Sequence, residues 1–221
     1  MTLQTAGPAD VVVRRLATAR VLPVVTLDDP DLAVPLARAL LDGGVDVIEI
    51  ALRTEGALES IARIDREVPE MLVGAGTVLT AAQLDLAVAA GSRFALAPGL
   101  SSAVVRRAAV DGVPFFPGVA TPSDVMRALE LGCTVLKVFP ASTLGATGIA
   151  QLAAPFASHR VGWIPTGGIG GSDAPGYAAI PGVVCVGGSW MVAPAAIGRA
   201  DWGRIAALAK AAQSAVASQN S

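Results

Sequence analysis

The sequence is poor in the residues that most often bind metals. Its 221 residues include one histidine, His159, and two cysteines, Cys133 and Cys185. One histidine cannot supply a three-histidine zinc site, and the two cysteines are not in a ligand spacing. His159 is typical of a surface helix end, and the cysteines lie beside apolar residues as reduced core thiols do. The sequence therefore predicts no metal site.

Charged residues are also scarce. The net charge is −2 and only 15% of residues are charged, which excludes a basic surface for nucleic acid. No apolar run approaches the roughly 20 residues of a membrane span, and the first residues lack the basic start and apolar block of a signal peptide. We therefore expect a cytoplasmic protein that binds neither nucleic acid nor membrane. The low charged fraction also suggests that apolar surface is buried between subunits.

Lysine is rarer than arginine. Of the 16 basic residues only Lys137 and Lys210 are lysine. Lys137 lies in the apolar stretch TVLKVFPA (134–141), where a charged amine is costly unless it is paired. Arginine stays charged, whereas a desolvated lysine can lose its proton and become a nucleophile. The alternative is a lysine that extends to the surface or pairs with an acid.

Eight short apolar runs alternate with helical segments. The runs cover residues 21–27, 45–52, 71–78, 94–99, 114–119, 134–140, 161–168 and 183–189. Runs without polar alternation indicate strands covered on both faces, as in a parallel sheet. Eight β–α repeats predict a (β/α)₈ TIM barrel. An open doubly wound sheet is the alternative, although no GxGxxG opens the first helix.

We expect one barrel domain over residues 1–221, with an extra N-terminal helix at about 8–20 and a frayed tail at about 218–221. The helices after the eight runs are predicted at residues 32–41, 55–67, 81–90, 101–111, 122–131, 148–156, 172–180 and 201–217. Suitable N-cap residues precede or open several of these helices. They are Thr80, Ser101, Thr121, Ser172 and Asp201.

Catalytic groups of such barrels lie at the carboxyl ends of the strands. Glu49 is on the second predicted strand and Lys137 on the sixth. Alternate strands contribute side chains to one layer, so these two residues can face each other across the barrel. They form either a structural ion pair or a proton carrier beside an amine nucleophile. Arg53 follows Glu49 by about 13 Å of extended chain, and it must fold back to join them.

Glycine pairs end the seventh and eighth strands, in TGGIGGS and GGS. Glycine lets backbone N–H groups approach an anion closely. These two loops often bind phosphate in such barrels. The sequence therefore predicts a phosphate site there.

Several motifs together resemble one family. They are VIEIALRT (47–54), VGAGTVL (73–79), APGL (97–100), FFPG (115–118), LKVFPA (136–141), PTGGI (165–169) and GGSW (187–190). Over residues 21–194 the sequence resembles the 2-keto-3-deoxy-6-phosphogluconate (KDPG) aldolases. This family of class I pyruvate aldolases also includes 4-hydroxy-2-oxoglutarate (KHG) aldolases. Two positions depart from the family pattern: Ser142, where an acidic residue is frequent, and Ala97, where serine is frequent.

The resemblance implies roles for individual residues. Lys137 matches the Schiff-base lysine and Glu49 the general acid/base. The matched binding residues are Arg53 and Thr77 for the pyruvate carboxylate, Thr166, Gly167, Gly168, Gly188 and Ser189 for the phosphate, and Pro98 and Phe139 for the pocket wall. No cofactor is implied, because the covalent Schiff base on Lys137 supplies the electron sink.

The implied reaction is the cleavage of KDPG to pyruvate and glyceraldehyde 3-phosphate, as in the Entner–Doudoroff pathway of carbohydrate metabolism. KHG would give pyruvate and glyoxylate. The family is usually trimeric, so a homotrimer is expected. A metal-dependent pyruvate aldolase, with Mg²⁺ held by Glu49 and Asp28, is one alternative. A non-catalytic barrel that binds sugar phosphates is another.

Overall fold

The computed structural model describes residues 8–217, which contain nine strands and ten α-helices. The strands are β1 (Val21–Val25), β2 (Val47–Ala51), β3 (Leu72–Gly76), β4 (Ala95–Leu96), β5 (Phe115–Phe116), β6 (Gly118–Val119), β7 (Val135–Val138), β8 (Gly162–Pro165) and β9 (Val186–Gly188). The helices are α1 (Pro8–Ala19), α2 (Ala33–Asp42), α3 (Ala57–Glu67), α4 (Ala81–Ala89), α5 (Ser102–Asp111), α6 (Pro122–Glu130), α7 (Ala141–Ala153), α8 (Ala174–Ala178), α9 (Pro194–Gly198) and α10 (Trp202–Ala217). The expected frayed tail at 218–221 lies outside the described residues.

The strands form a curled parallel arrangement. Six strands pair in the order β5-β4-β3-β2-β1-β9, and three more in the order β6-β7-β8. Only Pro117 separates β5 from β6, and single bridges join Trp163 to Val183 and Thr166 to Gly187. The predicted α/β fold with parallel strands is confirmed. The doubly wound alternative is wrong, because the strand order lacks the reversal that such sheets have.

Helices cover the outer faces of the strands, so the strands are buried on both sides. Every residue of β2 and of β3 is buried. Val47, Ile48 and Ile50 of β2 belong to the same core cluster as the apolar residues of β3. Between them β2 carries a buried carboxylate, Glu49. This two-sided burial explains why the runs are apolar without alternation.

Helix α1 packs beside the amino ends of β2 and β3. Val12 and Leu16 bury its apolar side in the core cluster. Arg15 donates from Nε to the Asp46 carboxylate at 3.0 Å and from a terminal nitrogen to the Glu70 carbonyl at 2.5 Å. These bonds tie α1 to the residues that lead into the two strands.

The segment after β7 differs most from the sequence prediction. Helix α7 begins at Ala141, seven residues before the predicted start at 148, and continues through a kink at Gly145 into a 3₁₀ segment, Ala154–His159. Its start is stabilised from outside the helix, because the amides of Ala141 and Ser142 donate to the carbonyls of Thr166 and Gly167. Sequence patterns do not reveal these long-range bonds. The short helix α9 was not predicted either.

The predicted helix caps have mixed outcomes. Thr80 and Thr121 each form a reciprocal capping box, and Asp201 accepts a bond from the Arg204 amide at 3.2 Å. Ser101 is at the N-cap position of α5 without a side-chain bond. The Ser172 prediction is wrong, because α8 starts later, after Asp173.

The difference between Thr80 and Ser101 gives a stability prediction. Thr80→Ala removes the bond that its hydroxyl accepts from the Gln83 amide at 3.1 Å, so the free energy of unfolding should fall by about 1 kcal/mol. Ser101→Ala removes no capping bond and should change it by less than about 0.5 kcal/mol. Denaturant unfolding of the two variants measures both values. Equal losses would contradict the capping role of Thr80.

Candidate active site

A buried lysine and a buried glutamate meet inside the curled sheet. Lys137, on β7, donates from Nζ to Oε1 of Glu49, on β2, at 2.9 Å. Only 5% of the Lys137 side chain and 1% of the Glu49 side chain are exposed. The two residues that the sequence analysis placed on the second and sixth strands are therefore in direct contact. Lys137 donates one hydrogen bond to Glu49, so its other amine hydrogens are not used in this contact.

The Glu49 carboxylate has room only because residue 76 is glycine. A Cβ atom there would overlap the carboxylate. The other oxygen, Oε2, is buried and has no hydrogen-bond partner among residues 8–217. An unpaired buried carboxylate oxygen is unfavourable, and it can accept a bond from a hydroxyl group or water entering the site. The carboxylate can thus hold the amine and exchange a proton with a ligand.

A cavity of about 440 Å³ opens above Lys137. It is lined by seven of the predicted site residues besides the lysine. These predicted residues are Arg53, Phe139, Thr166, Gly167, Gly168, Gly188 and Ser189. The Lys137 Nζ atom lies 5.8 Å from the centroid of the Phe139 ring. A ligand in this cavity would therefore meet the amine at the cavity floor.

Arg53 folds back toward Lys137, as the sequence analysis required. The chain turns directly after β2, where the Arg53 amide donates to the Ala51 carbonyl at 2.8 Å. The Arg53 guanidinium lines the cavity and donates from Nε to Thr77 Oγ1 at 3.3 Å. Thr77 has a φ of 60°, which is a strained conformation for a β-branched residue. The strained loop after β3 thus positions a hydroxyl group beside the guanidinium.

The glycine loops after β8 and β9 meet at one side of the cavity. Gly167 and Gly168 have φ values of 100° and 72°, which other residues rarely adopt. Thr166 is buried and donates from Oγ1 to the Ile164 carbonyl at 3.2 Å. Ser189 is exposed on the facing loop. The four predicted phosphate-site residues beyond Thr166 therefore lie on one surface of the cavity.

Three predicted residues do not line this cavity. Glu49 lies behind Lys137, to which it is bonded. Thr77 contacts it only through Arg53. Pro98 is half-buried, and its carbonyl packs so closely against Gly118 that a Cβ at residue 118 would overlap it. Pro98 therefore supports the backbone of β6, which neighbours β7.

Several cavity residues were not selected from the sequence. Thr26 follows β1, and Ser142 lies in the first turn of α7. The remainder are apolar residues or prolines, namely Val24, Pro140, Ile169, Val192, Pro194 and Ile197. Position after a strand end could have selected Thr26. Pro194 and Ile197 lie on α9, which apolar periodicity could not reveal over five residues.

The two cysteines are unpaired, and burial raises the pKa of both thiols. Cys185 is fully buried near the Glu49–Lys137 pair, and His159 is exposed at the end of its 3₁₀ segment.

Across residues 8–217 no three His, Cys, Asp or Glu side chains cluster as metal ligands would. Within the same range, no helix has the length and apolar character to cross a membrane.

The parallel α/β fold and the lysine–carboxylate site are accompanied by similarity to aldolases, which are lyases. The family model for KDPG and KHG aldolases matches residues 12–208. The chain belongs to this family, as the sequence motifs indicated.

Relatives and solved structures agree with this assignment. The chain is 44% identical over 196 residues to the 2-dehydro-3-deoxy-phosphogluconate aldolase of Treponema pallidum, covering 88% of this chain and 92% of that protein. The Zymomonas mobilis KDPG aldolase, solved with 3-phosphoglycerate, is 42% identical with a TM-score of 0.84, covering 90% of this chain and 93% of that one. The Legionella pneumophila KDPG aldolase, solved with pyruvate captured as a covalent carbinolamine intermediate, is 36% identical with a TM-score of 0.86, covering 93% and 98%.

The contact between Gly76 and Glu49 gives a prediction. Gly76→Ala should push the carboxylate away from Lys137 and lower the rate of aldol cleavage by at least about tenfold, because a positioned acid/base contributes about 10²–10⁴-fold. Gly203→Ala, which adds a Cβ into open space on α10, is the matched control and should retain the parent rate. Steady-state assays and melting curves measure both variants. A folded Gly76→Ala protein with the parent rate would contradict this account of Gly76.

Proposed function

We propose that the protein is a class I aldolase that cleaves KDPG to pyruvate and glyceraldehyde 3-phosphate. KHG, the shorter substrate, would give pyruvate and glyoxylate. One observation carries the proposal: the Lys137 amine lies at the floor of a cavity, 2.9 Å from the buried Glu49 carboxylate. An amine nucleophile beside a proton carrier is the arrangement that Schiff-base chemistry requires.

In the first stage Lys137 passes a proton to Glu49, and the neutral amine attacks the C2 ketone and forms a carbinolamine. Glu49 gives that proton to the carbinolamine hydroxyl group, which leaves as water, and an iminium forms. Glu49 removes the C4 hydroxyl proton, directly or through water, while the C3–C4 bond breaks. The electrons of that bond enter an enamine, and the aldehyde product leaves. The carbinolamine in the Legionella pneumophila relative supports this covalent route.

In the second stage Glu49 returns a proton to C3 of the enamine. Water then hydrolyses the iminium, which releases pyruvate and restores the amine. Oε1 accepts the bond from the Lys137 amine, so the buried and unpaired Oε2 is the carboxylate oxygen left to accept a bond from a substrate hydroxyl group or a bridging water. This arrangement supports Glu49 as the group that moves both protons, and no cofactor is needed.

The two ends of the substrate would bind on different sides of the cavity. Arg53, with Thr77 beside it, would hold the pyruvate carboxylate, since a guanidinium pairs well with that group. The phosphate would lie at Thr166, Gly167, Gly168, Gly188 and Ser189. The 3-phosphoglycerate in the Zymomonas mobilis relative supports a phosphorylated ligand. Phe139 would pack against the substrate beside Lys137, and Pro98 would support the pocket wall.

We further propose that the strands close into one (β/α)₈ barrel in a single domain, residues 1–221, with α1 as the extra N-terminal helix. The single residue between β5 and β6 and the bridge from Thr166 to Gly187 support closure. A homotrimer fits the low charged fraction of 15% and the family pattern. A cytoplasmic location fits the two free thiols.

The alternatives have less support. A metal-dependent aldolase would need Glu49 as a ligand together with Asp28, yet Glu49 pairs with Lys137 and Asp28 is exposed. A non-catalytic sugar-phosphate binder would leave the buried pair without a use. Removing one residue of a buried ion pair is costly, but replacing both by apolar residues of similar volume often leaves a protein as stable. Stability alone therefore does not explain the pair in a binder.

An assay with EDTA tests the proposed reaction against the metal-dependent one. The protein should release pyruvate from KDPG, and exhaustive EDTA treatment should leave the rate unchanged, because Lys137 supplies the electron sink. Coupled detection of pyruvate measures the rate. Loss of activity that Mg²⁺ or Mn²⁺ restores would favour the metal-dependent aldolase, and absence of activity with or without metal would favour the binder.

A second prediction tests the role of Glu49. Glu49→Gln keeps the side-chain shape but removes the base, so exchange of pyruvate methyl protons with D₂O should slow by about 10²–10⁴-fold. Proton NMR of pyruvate follows the exchange. Glu59→Gln changes an exposed carboxylate on α3 that pairs with Arg63, and it should exchange at the parent rate. Unchanged exchange in Glu49→Gln would assign the proton transfer to another group.

A further inference from the structure

Ser142 lies on the cavity surface that also carries the glycine loops. It is the second residue of α7 and lines the cavity with Gly167, Gly168 and Ser189. Its amide donates to the Gly167 carbonyl at 3.0 Å. Its hydroxyl group is so close to Gly168 that a Cβ at residue 168 would overlap Oγ. The backbone bond fixes Ser142 against this loop.

The hydroxyl group of Ser142 is available to a ligand. The side chain is exposed, and Oγ has no hydrogen-bond partner among residues 8–217. Ser189, on the same cavity surface, is also exposed, and its hydroxyl group has no partner in the described part of the chain. Two free hydroxyl donors therefore face one surface, although only Ser189 belongs to the motifs that indicated the phosphate site.

The charge of the cavity also depends on Ser142. The charged side chains that line it are Arg53 and Lys137, and none of its lining residues is acidic. An ionised acidic side chain, which is frequent at this position in the family, has no hydrogen to donate to a phosphate. A neutral hydroxyl group instead donates a hydrogen bond to the anion.

We propose that Ser142 is a specificity-determining residue that donates its hydroxyl hydrogen to the terminal phosphate of the substrate. Its role is to favour phosphorylated over unphosphorylated 2-keto acids. The inference rests on the proposed aldolase function and extends its phosphate site from the two glycine loops to the first turn of α7.

Five variants test the proposal. Ser142→Ala removes the donor, and Ser142→Asp replaces it with a negative charge. Thr143→Ala and Thr143→Asp are the matched controls, because Thr143 is exposed in the same helical turn but does not line the cavity. Ser189→Ala is a comparator for the loss of one donor. Each protein is assayed with KDPG and with KHG, and its melting temperature is recorded.

Ser142→Ala should lower kcat/KM for KDPG by about 10- to 100-fold, the range for a hydrogen bond to a charged group. Ser142→Asp, which also removes the donor, should lower it at least as much, and Ser189→Ala should resemble Ser142→Ala. The KHG values should change much less, since that substrate lacks the phosphate. Both Thr143 variants should retain the parent ratio of the two substrates. Equal losses on both substrates, or no loss with KDPG, would overturn the proposal.

Binding of inorganic phosphate separates this proposal from the reaction itself. In ³¹P NMR titrations, the dissociation constant should rise by a similar factor in Ser142→Ala and stay unchanged in Thr143→Ala. This measurement needs no turnover, so it decides the role of Ser142 even if the parent protein cleaves neither substrate. Parent-like phosphate binding by Ser142→Ala would remove Ser142 from the site.

Discussion

The ion pair between Lys137 and Glu49 is the constraint on which the site depends. Removing two charges from water is costly, and only close pairing offsets that cost. Losing one partner of such a pair typically destabilises a protein by about 3–5 kcal/mol. The 2.9 Å contact therefore fixes β2 and β7 relative to each other. It also restricts residue 76, because a side chain there would occupy the space of the carboxylate.

The rest of the cavity follows from strand direction. All strand pairings are parallel, so the segments after the strands emerge at one edge. Arg53 follows β2, Phe139 follows β7, and the glycine loops follow β8 and β9. Each loop contributes a different property: a fixed positive charge, an aromatic wall and exposed backbone amides. The buried pair lies beneath them, where it can act on the part of a ligand that reaches the floor.

Much of this arrangement could be predicted from the sequence, since it depends on local pattern. Two-sided burial leaves apolar runs, and a lysine inside such a run is conspicuous when nearly every other basic residue is arginine. Features that depend on distant contacts could not be predicted. The start of α7 is fixed by carbonyls of the loop after β8, so the sequence pattern leaves Ser142 outside the predicted strands and helices and does not indicate it as part of the cavity wall. The strained Thr77 and the place of Pro98 behind β6 likewise follow from tertiary packing.

The central claim is that Lys137 forms the covalent bond to the substrate. Borohydride reduction in the presence of pyruvate tests it most directly, because reduction makes an iminium permanent. Mass spectrometry of the digested protein should find a reduced three-carbon adduct on Lys137. The other lysine, Lys210, is exposed on α10 and provides an internal control. An adduct on Lys210 alone, or no adduct on either lysine, would contradict the account.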